Sequence, residues 1–340
     1  MRSGVRWSAS DIVKPSLPIP SPLVFNWHAV RRMMVSAMHC KTKPSVPLTH
    51  CPHPALANSQ IIPSMHEMGV HDTPAVIDYI LSRALSTELY YIGHSLGASL
   101  FFIMTSEKPE YNSKVRAMIG LAPGAFLGNA RSPIVVPWFK ALAKLQINSY
   151  SEGGLIFRTQ TMQELIKIPR EVMPRSRQMT NIGITLCRDG ALTQYVCLHL
   201  MSLVGGFNDF SVNTTSLPVN LGHFPNGASQ KTVAHIGQTV MSGRFSQFDY
   251  GRNINLKKYG RATSPDYDLE AITAPVALYY GDNDLLVTPH DIDRLFSALK
   301  NSRDRTMKKF YTYSHFDFLW GVNVKSVVYD YILSVIDTYT

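Results

Sequence analysis

The stretch YYIGHSLGASL, residues 90–100, places a serine between two glycines. Gly93-x-Ser95-x-Gly97 is the spelling of a tight strand-to-helix turn that exposes a serine hydroxyl as a nucleophile. The spelling alone is weak, so its flanks decide. On its N-terminal side ELYYIG (88–93) is a short, aromatic-rich apolar run that reads as a buried strand. On its C-terminal side ASLFFIMTSEKPE predicts a helix that stops before Pro109, because proline disfavours helical backbone in the residue before it. VRAMIGLAPGA (115–125) then gives a second strand ending in Pro-Gly punctuation. Strand, tight turn, helix and strand make the unit of a parallel sheet with crossover helices. Ser95 therefore sits at the carboxyl end of a strand, where a nucleophile of this kind belongs.

The pattern extends in both directions. EMGVHDTPAVIDYILSRAL (67–85) spaces Val76, Ile77, Ile80 and Leu81 on one helical face. Residues 130–265 lose the strand-helix rhythm. Short helical stretches such as PWFKALAKL and YVCLHLMSLVGGF alternate there with connections rich in Gly, Pro and Asn, which predicts a helical cap inserted over the sheet. The rhythm returns at APVALYYGDNDLLV (274–287), with Val276 to Tyr280 as a strand, followed by the helix DIDRLFSAL. MKKFYTYSHFDFLWG (307–321) gives a last short strand and a loop, and SVVYDYILSVI (326–336) a closing helix.

A serine nucleophile needs a base to take its proton and an acid to orient that base. Asp284 lies in the loop after VALYYG, and His315 in the loop after KFYTY. The chain order Ser, Asp, His, with each residue on a loop after a strand, is that of the α/β-hydrolases. Asp282 and Asp317 are rival acids; Asp282 is closer to its strand, and Asp317 is very near His315 in sequence. His94 and His290 are rival bases, one flanking the nucleophile and the other at the start of a helix.

The chain has 340 residues, 45% of them hydrophobic and 17% charged, which is ample material for one large α/β domain with insertions. No run approaches the length of apolar sequence that a membrane-spanning helix needs. The net charge of +9 comes mainly from residues 1–64, where seven Lys/Arg face the single acid Asp11. No nucleic-acid motif accompanies that charge. The same segment holds nine of the 21 prolines and is predicted to be irregular. Its Arg2 and Arg6 are not followed by the compact apolar core of a signal peptide. Cys187 and Cys197 could form a disulfide in an oxidising compartment, and Asn213-Thr214-Thr215 is a glycosylation sequon.

MHEMGVHDTPAVIDYIL, YIGHSLGASLFFIMTSEKPEYNSKVRAMIGLAPGAF, YGDNDLLVTPHDIDRLFSAL and SHFDFLWG together resemble the acid lipase family, the gastric and lysosomal lipases with their insect relatives. The likeness covers residues 65–340 and includes GRFSQFDYG and the Cys187/Cys197 pair. The resemblance implies an α/β-hydrolase core, a helical cap at about 130–265, and hydrolysis of acylglycerol or sterol esters with no metal or organic cofactor. Carried over, it makes Ser95 the nucleophile, Asp284 the orienting acid, His315 the general base and the Leu96 N–H an oxyanion donor. It also implies a disulfide between Cys187 and Cys197, transient contact with a lipid interface, and a secreted or lysosomal location, where the Asn213 sequon would have meaning as a glycosylation site.

Two features depart from the family. Its early strands are missing, and none of the twelve histidines is followed by glycine, so the His-Gly loop that donates the second oxyanion N–H has no counterpart. Residues 1–64 resemble nothing in the family. The expectation is an incomplete sheet of about four strands, in a chain that reads as N-terminally truncated. The strand before the elbow would then lack an outer neighbour. The alternative to a lipase is a catalytically impaired lipid-binding relic without the oxyanion loop.

Overall fold

In the computed structural model, which describes residues 24–25, 63–150, 171–172, 176–206, 212–222 and 227–339, the apolar runs become one parallel sheet. Its strands are β1 (Val24–Phe25), β2 (Leu89–His94), β3 (Val115–Leu121), β6 (Val276–Gly281) and β7 (Arg305–Phe310), adjacent in that order. All four pairings are parallel. Register aligns Ile92 with Ile119, Leu121 with Tyr279 and Gly281 with Phe310, so the carboxyl ends of the strands lie side by side. β6 is buried along its whole length, as a strand covered on both faces must be.

Helix α1 covers residues 65–84 and opens with a capping box in which Ser64 and Glu67 satisfy each other's backbone. Its middle, Met68–Asp72, widens into a π turn that the spacing of apolar residues does not announce. Helix α2 (Leu96–Glu107) is buried on every side from Gly97 to Thr105. A helix apolar all round belongs in a core, and α2 lies among residues of β2, β3 and α1.

Between β3 and β6 the chain leaves the sheet. This cap segment contains α3 (Val135–Tyr150), α4 (Arg177–Cys187), α5 (Gln194–Gly205), α6 (Leu217–Leu221), α7 (Gln230–Ser242) and α8 (Arg252–Tyr259). Its strands among the described residues are β4 (Glu171–Val172) and β5 (Ala228–Ser229), a two-residue antiparallel ribbon. α7 packs against α3, and Cys187 is joined to Cys197 by a disulfide that ties α4 to α5. After β6 come α9 (Pro289–Ala298), β7, α10 (Asp317–Trp320) and α11, residues 325–338.

One expectation needs correction. β2 does not lack an outer neighbour, because Val24 and Phe25 pair with Tyr90 and Tyr91 and make a fifth strand. Two residues are too few to show a strand period, so sequence pattern could not reveal them. The expected irregularity of residues 1–64 otherwise falls outside the described residues, apart from Pro63 and Ser64.

Candidate active site

The elbow is built where β2 becomes α2. Ser95 has φ 52° and ψ −117°, a left-handed backbone that a side chain adopts only under constraint. The constraint is visible. The Ser95 amide donates to the Leu121 carbonyl at 2.9 Å, and its own carbonyl accepts from Ala98 at 3.1 Å, Ser99 at 3.2 Å and Gly124 at 3.3 Å. Gly93 must be glycine, because a Cβ there would lie 2.7 Å from the Ala98 nitrogen where α2 doubles back over the strand. Leu96 is the first residue of α2, and its N–H donates to no partner among the described residues. It stands at the positive end of the helix dipole, an arrangement that favours a developing anion.

The candidate acid and base lie on the loops after β6 and β7. Asp284 Oδ2 and His315 Nδ1 are 2.8 Å apart, and both side chains are buried. The other Asp284 oxygen accepts from the Leu286 and Val287 amides, each at 2.8 Å. Those bonds fix the carboxylate's rotation, so its free oxygen faces the imidazole. The pair can hold His315 with Nδ1–H toward Asp284, leaving Nε2 to take a proton.

His94 supplies a link that its sequence position does not foretell. Its Nε2–H donates to the His315 carbonyl at 2.9 Å, and the two rings lie 4.7 Å apart. Burial, with a smaller electrostatic contribution from the neighbouring His315 ring, holds His94 down to about 3, so it is a neutral donor rather than a base. The residue before Ser95 thereby ties the elbow to the His315 loop. Among the described residues no hydrogen bond joins Ser95 Oγ to His315. In unliganded hydrolases that contact is often long and tightens when substrate enters.

The rival residues have other work. Asp282 accepts from the Thr312 amide at 2.6 Å and pairs with Lys309, fastening the two loops together. Asp317 accepts from the Ser314 amide at 2.6 Å and braces the turn that carries His315. His290 is exposed at the start of α9.

A cavity of about 90 Å³ opens beside Ser95, walled by Leu96, Leu127, Val136, Phe139, Ile236 and Val240. Its lining is almost wholly apolar, with Ser95 and Ser99 the polar exceptions. Such a slot suits hydrocarbon, each buried CH₂ contributing about 0.8 kcal/mol. Asn213 is exposed, and the Thr215 hydroxyl of its sequon donates to Asp189 at 3.2 Å. Among the described residues there is no group of three metal-ligating side chains, and no helix is long and apolar enough to cross a membrane.

An α/β-hydrolase fold family matches residues 44–322. Lipase 3 of Drosophila melanogaster is 32% identical over 80% of this chain and 66% of its own length. Gastric triacylglycerol lipase of Rattus norvegicus is 30% identical over 80% of this chain and 64% of its own. The chain thus spans just under two thirds of these curated relatives. A soluble variant of monoglyceride lipase from Saccharomyces cerevisiae, solved with a substrate analogue, overlays with a TM-score of 0.45 and 14% identity, over 80% of this chain and 69% of that one.

Proposed function

The chain belongs to the α/β-hydrolase fold family, and from that premise we propose that it is a serine lipase or esterase acting on lipid esters. His315 Nε2 takes the Ser95 hydroxyl proton as Oγ attacks the ester carbonyl. The oxyanion that develops is met by the Leu96 N–H at the start of α2. The tetrahedral adduct collapses as His315 returns its proton to the departing alcohol, leaving an acyl-enzyme. Water activated by the same imidazole releases the fatty acid, while Asp284 keeps the ring oriented and balances its charge.

The observation that carries this reading is the Asp284–His315 pair, buried and 2.8 Å apart, on loops beside a serine held at positive φ. The apolar cavity at Ser95 supports an acyl chain as the group it accepts. The gastric triacylglycerol lipase relative supports acylglycerols as the substrate class, and the resemblance of the motifs to the acid lipases adds sterol esters and a secreted or lysosomal location. A disulfide between Cys187 and Cys197 and an exposed sequon at Asn213 suit that compartment.

The test is turnover of a series of 4-nitrophenyl esters, from acetate to palmitate, by the protein and by Ser95→Ala. Hydrolysis that rises with chain length and vanishes in Ser95→Ala supports the reading. A folded protein that turns over none of them favours a lipid-binding protein without catalysis. The observation on that side is that none of the twelve histidines is followed by glycine, so the His-Gly loop that would donate the second oxyanion N–H has no counterpart in the sequence.

A further inference from the structure

The catalytic loops are tied together on one side by their own groups. Thr312 N–H donates to Asp282, and Asn283 N–H donates to the Tyr313 carbonyl at 3.1 Å. On the other side the tie comes from elsewhere in the chain. The carbonyl of Gly205, the last residue of α5, accepts from the Leu285 amide at 3.2 Å and from the His315 amide at 3.0 Å. Leu285 directly follows the acid, and His315 is the base. A single oxygen thus holds one amide from each loop.

The final carbonyls of a helix have no partner within it and carry its negative dipole end. Gly205 spends one of them on these two N–H donors. The fit leaves no room for a side chain. A Cβ at Gly205 would lie 2.6 Å from the Phe316 ring and 3.3 Å from the His315 Cβ. At Gly206, with φ +120°, it would lie 1.9 Å from the Asn283 carbonyl oxygen and 3.1 Å from the Ser314 Cβ. The helix end is also anchored behind, where Ser132 Oγ donates to the Leu203 carbonyl at 2.9 Å. Arg131 and Ser132 N–H reach the Leu285 carbonyl at 2.7 and 3.1 Å, so the same segment grips the Asp284 loop a second time.

We propose that Gly205 is a positioning residue: its carbonyl locks the Asp284 and His315 loops in register and makes the acid–base geometry depend on the seating of α5. The proposal rests on the ester-hydrolase reading for its kinetic test and on geometry alone for its spectroscopic one. Displacing α5 would separate Nδ1 from Oδ2 without touching the acyl cavity, which Gly205 does not line.

The experiment is Gly205→Ala, checked for folding by circular dichroism and assayed on a soluble ester. The added methyl should lower kcat by on the order of 10²-fold while KM stays within about twofold, the signature of misplaced rather than unbound groups. Adding Phe316→Leu, which opens the space the methyl needs, should restore much of the lost kcat. A folded Gly205→Ala protein with unchanged kcat overturns the proposal, as does a loss that the second substitution leaves untouched.

If Gly205→Ala does not fold, Ser132→Ala loosens the same helix end without crowding it. A fall in kcat at constant KM supports the proposal, and an unchanged kcat overturns it. The low-field proton resonance of His315 Nδ1–H, identified by its loss in Asp284→Asn, gives a readout independent of turnover. In Gly205→Ala, or in Ser132→Ala, it should shift upfield or broaden; an unmoved resonance contradicts the proposal. Absence of turnover in the unsubstituted protein would instead refute the hydrolase reading.

Discussion

The sheet and the α4–α5 pair of the cap segment use apolar residues in opposite ways. In the sheet half, Ile77, Phe101, Phe102 and Leu278 are fully buried, and pattern and burial coincide. In α4, α5 and their connection, Ile182 is 51% exposed, Tyr195 68% and Leu192 100%. That helix pair is held by a covalent bond between Cys187 and Cys197 where the sheet half relies on burial. The difference teaches which substitutions should matter. Identical chemistry costs much in one region and almost nothing in the other.

The strongest way to sharpen this contrast is Phe101→Ala. It removes a fully buried ring packed against Tyr91 and Phe102, and should cost about 3–5 kcal/mol in denaturant unfolding. A cost near zero would mean that α2 does not pack as described.

A middle effect concerns the charged groups of α1, Asp72 and Glu67. Burial, helped by the charge on Glu67, pushes Asp72 up to about 6. A folded-state pKa above the unfolded one means that the folded chain holds the proton more tightly. Asp72 therefore costs stability increasingly from about pH 4 to 6, and in full above that range. Asp72→Asn should match the unsubstituted protein below pH 4 and exceed it at pH 7 by on the order of 2 kcal/mol. Equal stability at both pH values would refute the burial of that carboxyl. Glu67 behaves in the opposite sense. Although burial alone would raise it, Lys231 at 3.0 Å and the Ser64 hydrogen bonds hold it down to about 2. Its contribution is present above its unfolded pKa and is lost as pH falls toward 2.

The smallest effect belongs to the cap. Leu192→Ser removes a side chain that is fully exposed, and should change stability by no more than about 0.5 kcal/mol. A loss comparable to that of Phe101→Ala would show that this surface is covered in solution.

The same contrast explains what could be read from the sequence. ELYYIG, VRAMIGL and VALYYG are continuous apolar runs because parallel strands are buried on both faces, and each announced its strand within a residue or two. Asp284 was legible as a candidate acid because it follows such a run, whereas His315 follows β7, whose side chains are mostly only part-buried or exposed, and was legible as a candidate by its place after Asp284 in the chain. Three things were not. β1 is two residues long, too short for any period. The π turn at Met68–Asp72 changes hydrogen bonding without changing composition. The roles of His94 and Gly205 depend on one ring nitrogen and one carbonyl oxygen meeting loops far along the chain, and no local pattern encodes such a meeting.

The central claim is that Ser95 is an activated nucleophile, and intact mass after exposure to a fluorophosphonate tests it most directly. The account predicts one adduct per chain on the folded protein and none on Ser95→Ala. A folded protein that stays unlabelled, or a Ser95→Ala variant that labels equally, would contradict it.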